Sequence, residues 1–273
     1  MRKRTGGQTM IKRVIVNSDD FGITQGVTIG ILYAHIEGIL TSTTCMMNMP
    51  DAAFALNLAK DYPDLGVGIH LVFTTGKPLI EGAKSFTDAH GNFRKLRTYR
   101  PQDDRKFFTR TSSEANPEEL YAEWKAQIEK FIELAGKKPT HMDAHHHAHL
   151  FLNHQEVTID LAREYDIPIR QDDPIIDHYE YVRCHGDFYG EDLTNHDLIN
   201  IMKNNDDETL EIICHPGYID QRLMEISSYH LPRATELAII QSEEVQQFVQ
   251  DNQIELINYS DLKKRTHIPT GEN

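Results

Sequence analysis

Cysteine is scarce in this sequence, with three residues in a chain of 273. Cys45, Cys184 and Cys214 show no CxxC spacing, and their number is odd. This pattern argues against a disulfide-rich scaffold and against a CxxC-type metal site. It predicts reduced, mostly buried thiols in a cytosolic protein.

Long apolar runs and positive charge are also lacking. No run reaches about 18 apolar residues, so no transmembrane helix is predicted. The basic N-terminus precedes no apolar stretch and is therefore not a secretory signal. We predict an extension or leader at 1–10, with Met10 as the natural start. The net charge of −14 argues against a nucleic-acid partner and favours a neutral or cationic ligand or a metal ion.

What the chain does contain is an alternation of short β-rich runs with helical patterns. The clearest helix begins at Pro117 and is capped by Gly136. Its apolar face consists of Leu120, Trp124, Ile128, Phe131 and Ile132. The predicted strands lie at 14–17, 42–47, 66–70, 140–145, 167–170, 210–214 and 254–257.

This order of elements predicts an α/β fold with a mainly parallel sheet. An open doubly wound sheet and a (β/α) barrel both fit these strands. We favour an irregular (β/α) barrel with its active site at the C-terminal strand ends, because polar candidates follow at least four strands. A single domain is predicted over 11–262, with a tail at 263–273. The long polar insert at about 73–116 is expected to be a lid or substrate loop.

Two adjacent carboxylates, Asp19 and Asp20, directly follow the first predicted strand. They repel each other unless a cation or a proton separates them. One interpretation is that an aspartate caps the helix predicted at 24–37, since Asp is a common helix cap. The other is that one carboxylate binds a metal ion while its neighbour acts as a base.

A single histidine, His70, ends the apolar strand GIHL. A lone histidine in such a place is more often a structural residue than a ligand. Its position at the C-terminal edge of the sheet also allows a functional role.

The densest candidate is the segment HMDAHHHAHL, which begins at His141. Alternate residues of a strand share a face, so His141, Asp143 and His145 are expected to point the same way. A helix would also bring His141 and His145 together, because they are four residues apart. Pro139 and the β-branched Thr140 favour the strand. The alternative is a His-rich surface turn, which the crowding of so many ionisable rings disfavours.

The segment CHPGY places His215 between an apolar strand and a Pro-Gly turn. It could be an ordinary loop histidine, but beside the other strand-end residues it becomes a candidate proton donor. Arg233 and Glu236 on the next helix could form an ion pair, orient the site or lie on a solvated helix face, which is slightly favoured. Taken together, two histidines and one carboxylate with open coordination positions are typical of a hydrolytic metal site.

Six motifs follow one another in this order: VNSDDFG, TSTTCMMN, GIHL, TTGKP, KPTHMDAHHHAHLF and CHPGY. Over about 11–262 the chain thereby resembles the YdjC-like carbohydrate deacetylase family, which includes chitooligosaccharide deacetylase. The resemblance implies a (β/α)-barrel-like fold and a divalent-metal-dependent hydrolase that removes acetyl groups from N-acetylated sugars. It also implies a cytosolic homodimer, Mg²⁺ as the metal and a role in the catabolism of chitin-derived oligosaccharides, including diacetylchitobiose or its phosphate.

The resemblance also carries residues over. The aspartate pair of the family falls on Asp19 and Asp20, its GIH histidine on His70, and the first histidine of its HHH triplet on His145. We expect Asp20, His70 and His145 to hold the ion and Asp19 to be the general base. The roles of the two aspartates could be exchanged.

The remaining candidates receive supporting roles. We expect His215 to protonate the leaving sugar amine, because an amide is cleaved only when its nitrogen is protonated. His141 and Asp143 are expected to orient His145 and to fix which of its ring nitrogens faces the metal.

The nature of the metal and two alternative functions stay open. Mg²⁺ prefers oxygen ligands, whereas two histidines and one carboxylate suit Zn²⁺, Co²⁺ or Ni²⁺ better. A metal-dependent phosphatase or phosphodiesterase could use the same site. A metal-storage or metal-sensing protein could use the histidine-rich stretch, although the separate Asp-Asp and CHPG motifs disfavour it.

Overall fold

The computed structural model describes residues 12–99, 111–171, 179–205 and 207–265. Three predicted regions lie wholly or partly outside these residues. They are the extension at 1–10, the tail beyond residue 265, and positions 100–110 of the insert.

The described residues form one sheet in which every strand pair is parallel. Its strands are β1 (Arg13–Phe21), β2 (Ser42–Cys45), β3 (Gly66–Leu71), β4 (Met142–Ala144), β5 (Arg183–His185), β6 (Thr209–Cys214) and β7 (Glu255–Leu256). Their order is β4-β3-β2-β1-β6-β5, and the short β7 also pairs with the start of β1. Because β1 lies in the interior of the sheet, between β2 and β6, its residues are buried on both faces, which explains the continuous apolar run VIV.

A short segment joins the two edges of this sheet. Ile169 bridges to Met142 in β4, and Gln171 bridges to Arg183 in β5, both in the parallel sense. The sheet therefore curls into the irregular (β/α) barrel that the sequence predicts. The strand predicted at 167–170 is wrong in detail, because the segment makes isolated bridges and Pro168 has no N–H to donate to a ladder.

The helices surround the sheet and alternate with its strands. They are α1 (Gln25–Ile36), α2 (Ala52–Ala59), α3 (Leu96–Tyr99), α4 (Pro117–Ala135), α5 (Gln155–Tyr165), α6 (Asn195–Lys203), α7 (Gln221–Ile226), α8 (Leu231–Ile240) and α9 (Glu243–Asp251), with 3₁₀ turns at His145–Leu150 and Tyr259–Asp261. The prediction for α4 is confirmed: Asn116 caps its first turn, and Gly136 ends it with φ 70°.

Two expectations about helix and strand ends are corrected. Thr24 caps α1, accepting a hydrogen bond from the backbone N–H of Val27, so the interpretation of the aspartate pair as a helix cap is wrong. The strand predicted at 140–145 contains only 142–144, because the chain turns at His145. The strand β5 was not predicted from the sequence RCH, which lacks apolar alternation.

The described part of the insert predicted at 73–116 packs against α4. The carboxylate of Glu123 accepts hydrogen bonds from the backbone N–H groups of Leu79 and Ile80, at 2.8 and 2.9 Å. Phe86 of the insert is fully buried in the main hydrophobic core. These contacts fasten this part of the insert to the barrel, and a role as a lid or substrate loop stays a prediction.

The cysteines behave as expected from their number. Cys45 and Cys214 are buried, Cys184 is half-buried, and the three form no disulfide with one another. No helix among the described residues has the length and apolar character needed to cross a membrane.

Candidate metal centre and active site

The C-terminal ends of four strands bring the predicted site residues to one edge of the sheet. The adjacent aspartates belong to the end of β1, and the other residues belong to, or directly follow, β3, β4 and β6. This edge carries, in chain order, Asp19, Asp20, His70, Asp143, His145 and His215. The structure therefore places together residues that are up to about 200 positions apart in the sequence.

A bulge in β1 lets two adjacent carboxylates enter the same site. In a regular strand, Asp19 and Asp20 would point to opposite faces. The register between β1 and β2 shifts between Ser18 and Phe21, and Asp20 has φ 69°, which is unfavourable for a residue other than glycine. As a result, Asp19 Oδ2 and Asp20 Oδ1 lie 3.9 and 3.4 Å from His70 Nε2.

Three side chains form a candidate metal centre. Asp20 Oδ1 lies 3.0 Å from His145 Nδ1 and 3.4 Å from His70 Nε2. One potential ligand atom of each residue lies within 4.8 Å of the others. Asp20 Oδ1 and His70 Nε2 are buried yet make no hydrogen bond within the described residues. Buried polar atoms are rarely left unpaired, and one divalent ion between these atoms would satisfy both of them.

Asp143 fixes the orientation of the His70 ring. Its Oδ1 lies 2.6 Å from His70 Nδ1, and its Oδ2 accepts a hydrogen bond from the hydroxyl of Thr44 at 3.1 Å. Holding the Nδ1 proton in this way leaves Nε2 directed at Asp20, an arrangement typical of metal-binding histidines. Burial would lower the pKa of His70, but the carboxylates of Asp143 and Asp19 outweigh it and raise the pKa to about 10. A proton and a metal ion therefore compete for Nε2.

The second oxygen of Asp20 is held by a buried arginine. Arg233 Nη2 lies 2.5 Å from Asp20 Oδ2, so the carboxylate is paired on one oxygen and open on the other. Burial raises the pKa of Asp20, but Arg233 and His145 have the larger, opposite effect. The pKa therefore lies well below its usual range. Arg233 is 2% exposed and Glu236 is fully buried. The expectation of a solvated helix face for these two residues is therefore wrong, because α8 turns this face toward the site.

Asp19 is held by a second buried arginine that sequence reasoning missed. Arg170 Nη1 and Nη2 bind the two carboxylate oxygens of Asp19 at 3.0 and 2.7 Å. Arg170 also pairs with Asp143 at 2.7 Å and with Glu211 at 2.8 Å. Burial raises the pKa of Asp19, but Arg170 and then His70 hold it far below its usual range. Arg170 follows the last residue of an apolar run, and this position at a strand end was the available signal.

The expected support of His145 by His141 and Asp143 is wrong. Asp143 contacts His70, as described above, and His141 Nε2 lies 3.1 Å from Asn17 Oδ1. The amide of Asn17 in turn donates a hydrogen bond to Asp19 Oδ1 at 3.1 Å, so His141 supports the aspartate rather than the histidine.

The backbone changes direction after β4. The strand ends at Ala144, and His146 and His147 have φ 56° and 52°. Two successive left-handed residues end the alternation of the strand after His145 and start the 3₁₀ turn. The strand interpretation of this segment therefore holds only as far as residue 144.

His215 lies beside Asp19. Its Nε2 is 3.9 Å from Asp19 Oδ2. Burial outweighs the attraction of Asp19 and Asp20 and lowers the pKa of His215 to about 4, so this ring is neutral near pH 7. The ring centroids of Tyr189 and Tyr229 lie 5.4 and 5.7 Å from that of His215. Each tyrosine ring meets the His215 ring in an edge-to-face arrangement.

The chain is similar to several known proteins. The family model described as YdjC-like protein matches residues 13–251. A carbohydrate deacetylase of Clostridium beijerinckii is 40% identical over 92% of this chain and 100% of its own length. A carbohydrate deacetylase of Vibrio cholerae is 36% identical over 92% of this chain and 96% of its own length.

One solved structure is also similar. It is a protein of Enterococcus faecalis whose suggested role is cellobiose-phosphate cleavage. It superposes with a TM-score of 0.79 and 31% identity, over 91% of this chain and 98% of that protein. With a family model matching most of its length and relatives at this level of identity, the chain belongs to the YdjC-like family.

Proposed function

We propose that this protein is a metal-dependent deacetylase that hydrolyses the N-acetyl group of acetylated carbohydrates. The observation that supports it best is the position of Asp19, whose Oδ2 is 3.9 Å from His70 Nε2 and 3.9 Å from His215 Nε2. A carboxylate between a metal-ligand set and a histidine is suited to moving a proton from a nucleophilic water to a leaving group. The carbohydrate deacetylase names of the relatives supply the substrate class.

Asp20, His70 and His145 would hold the ion. When bound, a divalent ion supplies Lewis acidity, which lowers the pKa of a water molecule and polarises an amide carbonyl. The two nitrogen ligands and one carboxylate suit Zn²⁺, Co²⁺ or Ni²⁺, whereas the family resemblance implies Mg²⁺. We propose that a transition metal supports activity in vitro. Adding each metal ion back to the chelated protein tests this choice.

Asp19 would act as the general base. Arg170 holds both of its oxygens, which keeps the carboxylate ionised and fixed beside the ligand set. In Asp20, by contrast, one oxygen forms an ion pair with Arg233 and the other is directed at two histidines. This difference supports Asp19 as the base and Asp20 as the ligand.

His215 would protonate the leaving amine. Its lowered pKa of about 4 means that it does not carry this proton at rest near pH 7. The proton therefore has to arrive within the turnover, and Asp19 is the neighbouring group that has just taken one from the water. Transfer from Asp19 to His215 and then to nitrogen returns both residues to their starting states as the C–N bond breaks.

The finer substrate assignment is also a proposal. An N-acetylated disaccharide such as diacetylchitobiose fits the family resemblance. The suggested cellobiose-phosphate role of the similar Enterococcus faecalis protein adds a phosphorylated disaccharide as a second candidate. We further propose a cytosolic homodimer, which the lack of a disulfide among the three cysteines and the exposed Ile29, Tyr33 and Ile36 of α1 support.

Acetate release from a panel of N-acetylated sugars, including N,N′-diacetylchitobiose and its phosphate, tests the proposal. We expect activity that is lost on chelation and restored by a divalent ion. Asp19→Asn is expected to lower kcat by about 10²- to 10⁴-fold. His145→Ala is expected to abolish metal-dependent activity, and His196→Ala, an exposed histidine on α6, serves as the matched control.

Two results would contradict these assignments. Undiminished activity of His145→Ala would remove this residue from the ligand set. Release of phosphate rather than acetate from phosphorylated sugars would favour the metal-dependent phosphatase.

A further inference from the structure

Glu236 is a fully buried carboxylate to which the reaction described above assigns no role. Its Oε2 accepts a hydrogen bond from the backbone N–H of His215, and its Oε1 accepts one from the hydroxyl of Tyr229 at 2.5 Å. Burying a carboxylate is costly, and hydrogen bonds to both oxygens offset that cost only while both donors stay in place. The geometry of His215 and the burial of Glu236 therefore depend on each other.

Tyr229 extends this contact to a neighbouring loop. Its hydroxyl oxygen accepts a hydrogen bond from the backbone N–H of Gly190 at 3.1 Å. Its ring stacks on that of Tyr189, with centroids 4.0 Å apart and planes 11° apart. The ring of Tyr189 lies edge-on to His215. The backbone of His215 is thus fixed by its hydrogen bond to Glu236, and the ring of His215 contacts two tyrosine rings.

The same helix also holds the metal-binding half of the site. Arg233, one helical turn before Glu236, binds Asp20 at 2.5 Å, and its backbone oxygen accepts from the N–H of Gly217 at 3.2 Å. Residues three apart share a helix face. One face of α8 therefore fixes a candidate metal ligand and the candidate proton donor relative to each other.

We propose that Glu236 and Tyr229 are positioning residues that hold His215 where its proton reaches the leaving nitrogen. This inference rests on the proposed function, since it presupposes that His215 delivers a proton during amide cleavage. Neither residue touches the substrate in this scheme. A displacement of about 1 Å at a reacting group can cost about 100-fold in rate, so a loosened backbone at His215 is enough to slow the reaction.

The chemistry of the leaving group distinguishes this role from general destabilisation. When an amide is hydrolysed, water adds to the carbonyl, the C–N bond breaks and the nitrogen receives a proton. When an aryl acetate is hydrolysed, the C–O bond breaks and the phenolate leaves without protonation. Loss of the proton donor's position should therefore affect the amide much more than the aryl ester.

Glu236→Gln and Tyr229→Phe are the test variants, and Glu243→Gln, an exposed residue of α9, is the matched control. We expect kcat for diacetylchitobiose to fall about 10- to 100-fold in Glu236→Gln and less in Tyr229→Phe. KM and the Zn²⁺ dissociation constant measured by calorimetry should change by less than about threefold. The rate with 4-nitrophenyl acetate should also change by less than about threefold.

Each outcome decides between the two proposals. An unchanged kcat in both variants, or equal losses in kcat, Zn²⁺ affinity and ester hydrolysis, overturns the positioning role and leaves the proposed function intact. A wild-type protein that releases acetate from no sugar contradicts the proposed function, and the positioning role fails with it. Tyr229→Phe removes a single oxygen. If Glu236→Gln does not fold, the decision rests on Tyr229→Phe.

Discussion

Buried carboxylates are stabilised differently at the site and on α4. At the site, Arg170 pairs with Asp19, Asp143 and Glu211. On α4, Glu123 is held by neutral donors, the backbone N–H groups of the insert. Burial is the largest influence in both places, yet the pKa of Asp19 is lowered and that of Glu123 is raised. At Asp19 the nearby cations outweigh the effect of burial, whereas at Glu123 the neutral donors reduce it without reversing it.

The comparison also shows that the site lacks positive charge. Four carboxylates, of Asp19, Asp20, Asp143 and Glu211, meet two guanidinium groups, of Arg170 and Arg233. With His70 neutral, as it has to be when a metal ion replaces the proton on Nε2, four negative and two positive charges leave a formal balance of −2, which one divalent ion would neutralise. The pKa of Glu211 is raised, because the effect of burial exceeds that of Arg170. This is expected when one arginine is shared among three carboxylates. Glu123, by contrast, accepts from neutral groups: the backbone N–H groups of Leu79 and Ile80 and the side-chain amide of Gln127.

Removing Arg170 should produce the largest effect. Arg170→Met leaves three buried carboxylates without their common partner, and we expect a loss of about 3–5 kcal/mol in the free energy of unfolding. Arg183→Met removes an exposed arginine that pairs with Asp207, and it should cost less than about 1 kcal/mol. Urea unfolding of both variants measures the difference, and equal losses would show that burial of the ion pair does not matter.

Metal binding should stabilise the site but leave α4 unaffected. An ion that binds only the folded protein adds about 2.7 kcal/mol at a free concentration 100-fold above its dissociation constant. We expect chelation to lower the melting temperature and Zn²⁺ to restore it, and His145→Ala to abolish this response. Hydrogen exchange at Leu79 and Ile80, which contact Glu123, should change little. Strong protection there on adding metal would contradict the separation of the two regions.

Asp143 belongs to both the arginine network and the candidate metal centre. Asp143→Asn keeps an oxygen that can accept from His70 but removes the charge shared with Arg170. We expect metal affinity to fall about 10- to 100-fold, as is common when a residue that orients a metal-binding histidine is changed. Calorimetry with Zn²⁺ measures this, and unaltered affinity would show that the charge of Asp143 is not needed to orient the ring of His70.

The smallest expected effect concerns Glu123 and depends on pH. Its pKa is raised in the folded protein, so the folded state binds more protons than the unfolded state between 4.5 and that raised value. Stability contributed by Glu123 is therefore present at low pH and is lost as pH rises through this window. Relative to Glu123→Gln, the wild type should be more stable at pH 5 than at pH 8, by about 1 kcal/mol or less. Urea unfolding at the two pH values tests the sign.

Much of the site could be predicted because its residues sit at the ends of recognisable strands. The apolar runs before Asp19, His70 and His215 reveal the strands, and parallel strands bring such ends to one edge. The helix α4 was equally clear from its apolar spacing and its caps. These features depend on patterns within a few residues, which a single sequence contains.

The contacts between those residues could not be predicted in the same way. Arg170 reaches Asp19 across 151 positions, and no local pattern announces that pairing. The left-handed backbone at His146 and His147 carries no glycine or asparagine to signal it. The error over which residues support His145 arose because a shared strand face does not establish a contact. Asp143 contacts His70 of the neighbouring strand β3, and His141 contacts Asn17 of β1.

The bulge in β1 has a consequence for anyone who transplants this site. A library that shuffles strand sequences while preserving ideal pleating would keep both aspartates and still lose the site, since Asp20 would then face the opposite side of the sheet. The irregular backbone at this point, rather than the list of side chains, is the part of the design that has to be copied first.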